Sequence, residues 1–240
     1  MTSQPLPDNS AFESLNVPDL VGLVEMQLTR AIVEGRLAPG SRIVEADIAR
    51  RMGVSRAPVR EAARRLERQG VLVSRPRYGF IVRPVTVQEI DDLFEVRISL
   101  EQTAIELACA KADAAGLARL QEQVDAMVRD AHLQPQHQRI AADLAFHTLI
   151  CQLSGNAHLQ RIFANIHTET CMIMALIDAV YDDPAAIADT HRPLVDALLR
   201  RDAAAARAAM GVHLADAWQH VRALFLKKHG ETAIPSTSPA

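Results

Sequence analysis

The first third of the chain carries apolar residues at the spacing of three short helices, over about 20–35, 45–52 and 56–69. Gly53 supplies a tight turn between the second helix and the third, and Ser55 is placed to cap the third. One apolar face is predicted for the first helix, formed by Leu20, Leu23, Val24, Leu28, Ile32 and Val33.

Two short β-type runs come next, Val71–Ser74 and Phe80–Arg83, joined by the turn-forming residues 75–79. Three helices followed by such a hairpin make a winged helix-turn-helix. The pattern therefore predicts a small module whose third helix can enter a DNA major groove and whose hairpin is the wing.

After residue 84 the pattern changes to helix after helix. Thr86 and Glu89 have the spacing of a capping box at the start of the first of them. No strand pattern follows Phe80–Arg83, so we expect a mostly α protein whose second domain is an all-helical bundle of six to seven helices. The predicted helices lie near 86–110, 113–131, 137–153, 156–181, 184–200 and 202–228.

These patterns divide the chain into four parts. We expect a disordered arm over 1–18, a winged helix-turn-helix domain over 19–84, a helical effector-binding and dimerisation domain over 85–229, and a disordered tail over 230–240. No apolar run approaches the ~20 residues that span a bilayer. The polar N-terminus does not resemble a signal peptide, and three widely spaced cysteines favour reduced thiols. A cytoplasmic protein is expected.

Charge is divided unevenly between the two domains. Residues 20–84 hold thirteen arginines and six acids, a net charge of +7, whereas residues 85–240 hold thirteen basic and twenty acidic residues, a net charge of −7. A compact basic module suits a polyanionic partner such as double-stranded DNA.

The third helix carries the most specific signal. Arg56, Arg60 and Arg64 recur every four residues and form one basic stripe, which could contact guanine edges or phosphates. The alternative is a solvated face with an ion pair between Glu61 and Arg65. The opposite face is apolar, with Val59, Ala63 and Leu66.

At the wing, Gly79 would allow the backbone to approach the DNA closely, with Arg77 and Tyr78 beside it. The candidate DNA-contacting residues are therefore Ser55, Arg56, Ala57, Arg60, Arg64, Arg77, Tyr78 and Gly79.

Residues 20–84 resemble the DNA-binding domain of GntR-type regulators. The run from Val54 to Ala62, VSRAPVREA, is close to that family's recognition-helix signature, VSRTPVREAL. Ala57 stands where threonine is usual, and Ala46 stands where some members carry a DNA-contacting arginine. The resemblance implies a homodimer that reads a short inverted repeat.

Four residues in the second domain could converge on a metal ion. Asp143 and His147 are one helical turn apart on one face. His191 and His213 lie on either side of the turn near residue 201, each about eleven residues away, so an antiparallel hairpin would bring them level. One carboxylate and three imidazoles suit zinc, manganese or nickel. The alternative is that the histidines are hydrogen-bonded packing residues.

The second domain also resembles the FCD type, the all-helical effector domain of the FadR-like branch of GntR regulators. Metal-binding members carry an Asp-x-x-x-His pair and two later histidines about twenty-two residues apart, which correspond here to Asp143, His147, His191 and His213. The resemblance implies a divalent metal, zinc first among the candidates. Pro193 departs from the pattern and should kink its helix.

Arg97 lies among apolar neighbours on the first helix of the second domain. A ligand carboxylate would suit its guanidinium, and Glu101, at i+4, is the alternative partner. The resemblance implies small organic acids as effectors, so we interpret Arg97 as an effector-binding residue.

Together these features predict a ligand-responsive transcriptional regulator, with repression the commoner outcome, and not an enzyme. Two alternatives remain: a regulator that senses the metal itself, and a metal-dependent enzyme built on a helical bundle.

Overall fold

The computed structural model describes residues 19–177, 183–230 and 232–233. Three predictions lie wholly or partly outside them: the arm over 1–18, the end of the helix over 156–181, and the tail over 230–240. Within the described residues, no helix has the length and apolarity that crossing a membrane requires.

The N-terminal module is a winged helix-turn-helix, as predicted. Strand β3 lies between β1 and β2 and pairs antiparallel with both. The two predicted strands are each shifted by one residue, and β1 was missed because a two-residue strand carries no readable alternation. The elements are α1 (Leu20–Val33), β1 (Arg42–Ile43), α2 (Glu45–Met52), α3 (Arg56–Arg68), β2 (Leu72–Arg75) and β3 (Gly79–Val82).

The apolar face predicted for α1 is only partly buried. Val24, Leu28 and Ile32 are buried, but Leu20 and Leu23 are 40% and 46% exposed. The prediction was wrong for these two because the buried stripe is narrow. Leu23 lies about 100° round the helix from Val24, and Leu20 lies in the first turn.

The second module is a helical bundle, as predicted, with one small addition. Strand β4 pairs antiparallel with β5, so the expectation of no strand after residue 83 was wrong. The elements are β4 (Val85–Thr86), α4 (Val87–Lys111), α5 (Ala114–Asp130), α6 (Gln136–Leu153), α7 (Ala157–Ile177), α8 (Pro184–Asp189), α9 (Arg192–Leu199), α10 (Ala203–His229) and β5 (Thr232–Ala233).

The helix predicted over 184–200 is broken in two. Helix α8 ends at Asp189 and α9 begins at Arg192, with Pro193 in the first turn of α9. Because proline removes a backbone donor and clashes with the preceding turn, the expected kink is a complete break. The break leaves Thr190 and His191 at the junction between the two helices.

The two modules share one apolar core. Leu28, Leu66 and Val82 of the first module belong to the same buried cluster as Phe94 and Phe225 of the second. A separate cluster fills the rest of the bundle. Since interiors pack at nearly crystalline density, a change of packing in the bundle can be transmitted to the winged module.

Candidate nucleic-acid interface and metal centre

Helix α3 is held by its apolar face. Val59, Ala63 and Leu66 are fully buried, as the sequence predicted, and Ala62 joins them. Gly53 takes the left-handed conformation, with φ of 67°, in the turn that separates α2 from α3. The opposite face of α3 is therefore presented to solvent.

The N-terminus of α3 differs from the expectation in one respect. Ser55 occupies the N-cap position with extended backbone, but its side chain makes no capping hydrogen bond. The prediction of a serine cap was wrong for the side chain, and the exposed hydroxyl is free to meet another group. Ala57, also exposed, lies beside it.

The arginine stripe is not uniform. Arg60 donates from Nε and Nη2 to the carboxylate of Glu45, with a shortest distance of 2.8 Å, and Arg56 Nη2 donates to the same carboxylate at 3.4 Å. The hydrogen bond from Arg60 holds the pKa of Glu45 below its ordinary value. Among the described residues, Arg64 has no ion-pair partner. The first two arginines are thus oriented by α2, whereas Arg64 is not.

The ion pair considered as the alternative does not form. Arg65 lies 3.4 Å from Glu25 on α1, and Glu61 lies 3.7 Å from Arg68. Neither contact involves Arg56, Arg60 or Arg64.

Two residues at the wing tip have positive backbone φ angles, which is ordinary for glycine but rare for arginine. Arg77 and Gly79 both have positive φ, 65° and 85°. Between them Tyr78 is half exposed, and the guanidinium of Arg42 lies 4.6 Å from the centre of its ring. Positive φ is unfavourable for arginine, and such strain persists mostly where it serves a function.

Three imidazoles meet inside the bundle. His147 on α6, His191 at the break between α8 and α9, and His213 on α10 each offer a nitrogen, and these atoms lie within 4.8 Å of one another. The Nε2 atoms of His147 and His213 are 3.3 Å apart. Asp143 joins them, with its carboxylate oxygens 3.1 Å from His191 Nε2 and 3.9 Å from His147 Nε2. The structure therefore brings together all four residues that the spacing singled out.

The outer nitrogen of each imidazole is engaged elsewhere. His147 Nδ1 donates to Glu101, and His191 Nδ1 donates to the carbonyl of Ala188 at 3.0 Å. His213 Nδ1 lies 3.1 Å from the hydroxyl of Thr190, whose own proton goes to the carbonyl of Ile187. In the neutral tautomer that these contacts favour, each Nδ1 carries the proton and each inward-facing Nε2 offers a lone pair.

This arrangement fits a divalent metal ion. His191 Nε2 is buried and makes no hydrogen bond, although a carboxylate oxygen of Asp143 lies 3.1 Å away. The Nε2 atoms of His147 and His213 lie 3.3 Å apart, so in these neutral tautomers two lone pairs face each other and a cation between them removes the repulsion. Outer hydrogen bonds that fix the tautomer are typical of metal-binding histidines. Three imidazoles and a carboxylate are the donor set that zinc, manganese or nickel accepts.

The electrostatics agree with this assignment. Burial alone would raise the pKa of Asp143, but His191, His147 and Arg97 hold it well below its ordinary value. Burial, followed by repulsion from His191 and His147, lowers the pKa of His213 well below 6.5. An ionised carboxylate and a neutral imidazole are the forms that bind a metal.

Arg97 has the alternative partner that the sequence offered and also faces a cavity. Its Nε donates to Glu101 at 2.6 Å, and both side chains are buried. Within the described part of the chain, no acceptor is hydrogen bonded to its two terminal NH₂ groups. Arg97 lines a cavity of about 260 Å³ together with Asp143, His147 and His213. The remaining wall is mostly apolar, with Phe94, Met174, Ile187, Leu214, Ala217 and Val221, and it also includes the polar residues Thr190, Asp216 and His220.

Three contacts were missed by the sequence reasoning. Glu45 pairs with Arg60 and Arg56, Thr190 meets His213 Nδ1, and Glu101 bonds His147 in addition to Arg97. All three act across long sequence separations, for which a single sequence carries no signal. His220 also lines the cavity.

Comparisons with known proteins agree with both modules. The family described as "Bacterial regulatory proteins, gntR family" matches residues 21–82, and the "FCD domain" matches residues 92–216. Among relatives, "Uncharacterized HTH-type transcriptional regulator YdhC" of Bacillus subtilis is 30% identical over 198 residues, which cover 82% of this chain and 88% of that protein.

Two further comparisons extend this likeness. The "Probable D-xylose utilization operon transcriptional repressor" of Paenarthrobacter nicotinovorans is 33% identical over 186 residues, which cover 77% of this chain and 80% of that protein. The solved structure of Escherichia coli McbR/YncC superimposes with a TM-score of 0.75 at 24% identity, covering 88% of this chain and 99% of that one. At that identity the superposition speaks for the fold alone.

Proposed function

The chain belongs to the gntR family of bacterial regulatory proteins and carries an FCD domain, and on that premise we propose that it is a metabolite-responsive repressor whose helical domain binds a small organic acid beside a divalent metal ion. As a member of this family it is a DNA-binding transcriptional regulator and not an enzyme. We propose repression, and not activation, because the relative from Paenarthrobacter nicotinovorans is named as a repressor. The proposal places the protein in the cytoplasm, where a bacterial regulator meets DNA.

The single observation that carries the proposal is the shared cavity wall. Asp143, His147 and His213 face the same 260 Å³ space as Arg97, whose terminal NH₂ groups have no hydrogen-bonded acceptor among the described residues. Glu101 pairs with Nε only, so the terminal NH₂ groups are left as buried donors that an incoming anion can satisfy. A carboxylate is the group that both an arginine and a divalent metal recognise.

The metal would be held by Asp143, His147, His191 and His213, with zinc the first candidate and manganese or nickel the others. When bound, it supplies a localised positive charge that attracts a carboxylate oxygen. Arg97 orients the acid from the other side, and the apolar wall around Phe94 and Leu214 accepts an apolar body.

On the DNA side, the proposal assigns the recognition to α3 and the wing. Arg56 and Arg60 lie near the N-terminus of α3, the end of a recognition helix that meets base edges, and Arg64 lies where a phosphate contact is expected. Arg77, Tyr78 and Gly79 at the wing tip would contact the sugar-phosphate backbone, and Ser55 and Ala57 the region beside the bases. A homodimer would set two recognition helices about one DNA turn apart, ~34 Å, on an inverted repeat.

Two features connect the acid-binding bundle to the DNA-binding module and could transmit the effect of acid binding. The modules share a core, and Arg83, at the end of the wing, donates to Glu169 on α7 at 2.5 Å. The dimer can place its winged modules in more than one way. An acid that binds one of these conformations more tightly than another shifts the equilibrium towards it, by an amount set by the difference in affinity.

The test is a fluorescence-anisotropy titration of the zinc-loaded protein against the DNA upstream of its own gene and against a scrambled fragment, at fixed salt. Acetate, benzoate and citrate are the acids tried. Preference for the upstream fragment, weakened by one acid in the wild type but not in Arg97→Ala, is the expected result. Equal binding to both fragments, or release that is unchanged in Arg97→Ala, contradicts the proposal.

A second candidate, a regulator that senses the metal itself, is favoured by one observation. The Nε2 atoms of His147 and His213 lie only 3.3 Å apart, so metal removal would leave either two facing lone pairs or one shared proton between them and could rearrange the bundle. In the same titration, a metal sensor changes its DNA affinity when zinc is removed with a chelator and ignores all three acids.

A further inference from the structure

Glu101 lies at the centre of α4 and is fully buried. Its two carboxylate oxygens serve different partners. Oε1 accepts from Arg97 Nε at 2.6 Å, and Oε2 accepts from His147 Nδ1. A buried carboxylate requires such partners, and here one partner belongs to the metal centre and the other to the acid-binding wall.

The hydrogen bond between Glu101 and His147 fixes the orientation of the imidazole. Because Glu101 accepts a hydrogen bond from Nδ1, the imidazole presents Nε2 to the other histidines, and a flip of the ring would cost this buried hydrogen bond. Carboxylates in this position commonly raise metal affinity by orienting the ligand.

The hydrogen bond between Glu101 and Arg97 fixes the orientation of the guanidinium. Its Nε is occupied by Glu101, and the centre of the guanidinium lies 5.5 Å from the ring centre of Phe94, a residue of the cavity wall. With Nε tied back along its own helix, the terminal NH₂ groups remain as the donors available to a ligand. The guanidinium is therefore pre-oriented, which reduces the entropy lost when a carboxylate binds.

We propose that Glu101 is a single positioning residue for both ligands, holding His147 for the metal and Arg97 for the acid. This inference rests on the proposed function and deepens it. One carboxylate then joins the two halves of the site, so that loss of the side chain weakens the binding of each ligand even in the absence of the other.

Simple electrostatics predicts the opposite result for the acid. Removing the negative charge of Glu101 would leave Arg97 more available to an anion, so a variant without that charge should bind carboxylates more tightly. The positioning role predicts weaker binding. The sign of the change therefore separates the two explanations.

The experiment compares the wild type with Glu101→Gln and with Glu106→Gln, a matched control on the same helix. Glu106 is half exposed and pairs with Arg207 at 3.2 Å, away from the cavity. Zinc affinity is measured without acid, by competition with a chromogenic chelator. Benzoate and acetate affinities are measured without metal, by equilibrium dialysis of the radiolabelled acids in the presence of a chelator.

In Glu101→Gln we expect zinc affinity to fall about 10- to 100-fold and benzoate affinity to fall on the order of tenfold, with neither changed in Glu106→Gln. The chain's single tryptophan, Trp218, stacks on Phe94 at 6.5 Å and gives a second readout by fluorescence. If the glutamine variant does not fold, Glu101→Asp keeps the charge but is too short to reach both partners, and the same losses are expected.

Three results overturn the inference: unchanged zinc affinity, unchanged metal-free benzoate affinity, or tighter benzoate binding in the folded variant. A fall in zinc affinity alone would reduce Glu101 to an ordinary support of one metal ligand. A wild type that binds neither zinc nor either acid contradicts the proposed function instead, so the two failures are distinguishable.

Discussion

Two arginine–glutamate pairs in this molecule share their chemistry and differ in their surroundings. Arg60 and Glu45 meet at the edge of the DNA-reading module, where 50% of the Arg60 side chain and 15% of the Glu45 side chain are exposed. Arg97 and Glu101 meet inside the bundle, where 4% and 1% of the side chains are exposed. The surface pair can exchange its partner for water or a phosphate at little cost. The buried pair keeps its geometry because a lost partner leaves an uncompensated charge.

The difference suits two tasks. A recognition arginine must be able to leave its resting contact when DNA arrives. An arginine that anchors a small ligand gains from being held still. The five predictions that follow test this contrast, beginning with the largest expected effect.

Removing the glutamate from each of the two pairs should have unequal effects on the free energy of unfolding. Glu101→Ala is expected to lower the free energy of unfolding by about 3–5 kcal/mol, because Arg97 and His147 lose their partner while they remain buried. Glu45→Ala should change it far less, since solvent replaces the lost contact. Urea denaturation of both variants measures the difference, and equal losses would remove the distinction between the pairs.

Zinc should stabilise the bundle through the histidine cluster. At a free zinc concentration about a hundredfold above Kd, the stabilisation is expected to be about 2.7 kcal/mol, seen as a rise in Tm. His191→Ala should abolish most of this rise, whereas His132→Ala, an exposed histidine outside the cluster, should leave it intact. Equal responses of both variants would mean that zinc binds elsewhere.

The recognition arginines should separate into two kinds. Arg60→Ala is expected to weaken binding to the upstream fragment roughly 5- to 150-fold and to relax specificity, as for an arginine that reads a base. Arg64→Ala should weaken binding to all DNA alike and reduce the slope of affinity against salt by about one. Anisotropy titrations at several salt concentrations distinguish the two variants. Identical behaviour would contradict the assignment of Arg60 to a base and Arg64 to a phosphate.

The metal-free protein should lose stability as the pH falls below about 6.5. The folded state keeps the pKa of His213 well below that value, so between the two pKa values only the unfolded chain gains the proton. The loss is at most about 1.4 kcal/mol per pH unit for one proton. His213→Gln, compared with His132→Gln by urea denaturation at pH 7 and pH 5.5 in a chelator, should flatten this dependence. An unchanged slope in His213→Gln would show that another group titrates.

The smallest effect is expected for Glu45. Glu45→Gln removes a negative charge near the DNA and also releases Arg60, so non-specific affinity should rise slightly while preference for the upstream fragment falls a few-fold. Asp47→Asn, which removes the same charge on the same helix but pairs with Arg50, should raise both affinities together. If both variants behave alike, Glu45 contributes charge only and does not orient Arg60.

Much of this architecture could be predicted from the sequence because the signals were local. The apolar spacing of α3, the capping box at Thr86 and the proline at the start of α9 each act within a few residues. The four-residue spacing of Asp143 and His147 is of the same kind. The equal distances of His191 and His213 from one turn extended this reasoning to two helices.

The rest could not be predicted because it depends on contacts between distant segments. Glu45 lies fifteen residues from Arg60, and Glu101 lies forty-six from His147. Thr190 meets His213 only because the helix breaks beside His191. Strands β1, β4 and β5 are each two residues long, too short for a period of two to be visible.

The central claim is that acid binding in the bundle and DNA binding by the winged module are coupled, and linkage makes that coupling reciprocal. The decisive measurement is the affinity of the zinc-loaded protein for the acid that releases it, determined with the protein free and again with it saturated by the upstream DNA fragment. The account predicts that DNA weakens acid binding by the same factor by which the acid weakens DNA binding. An acid affinity that is identical in the two states would contradict it.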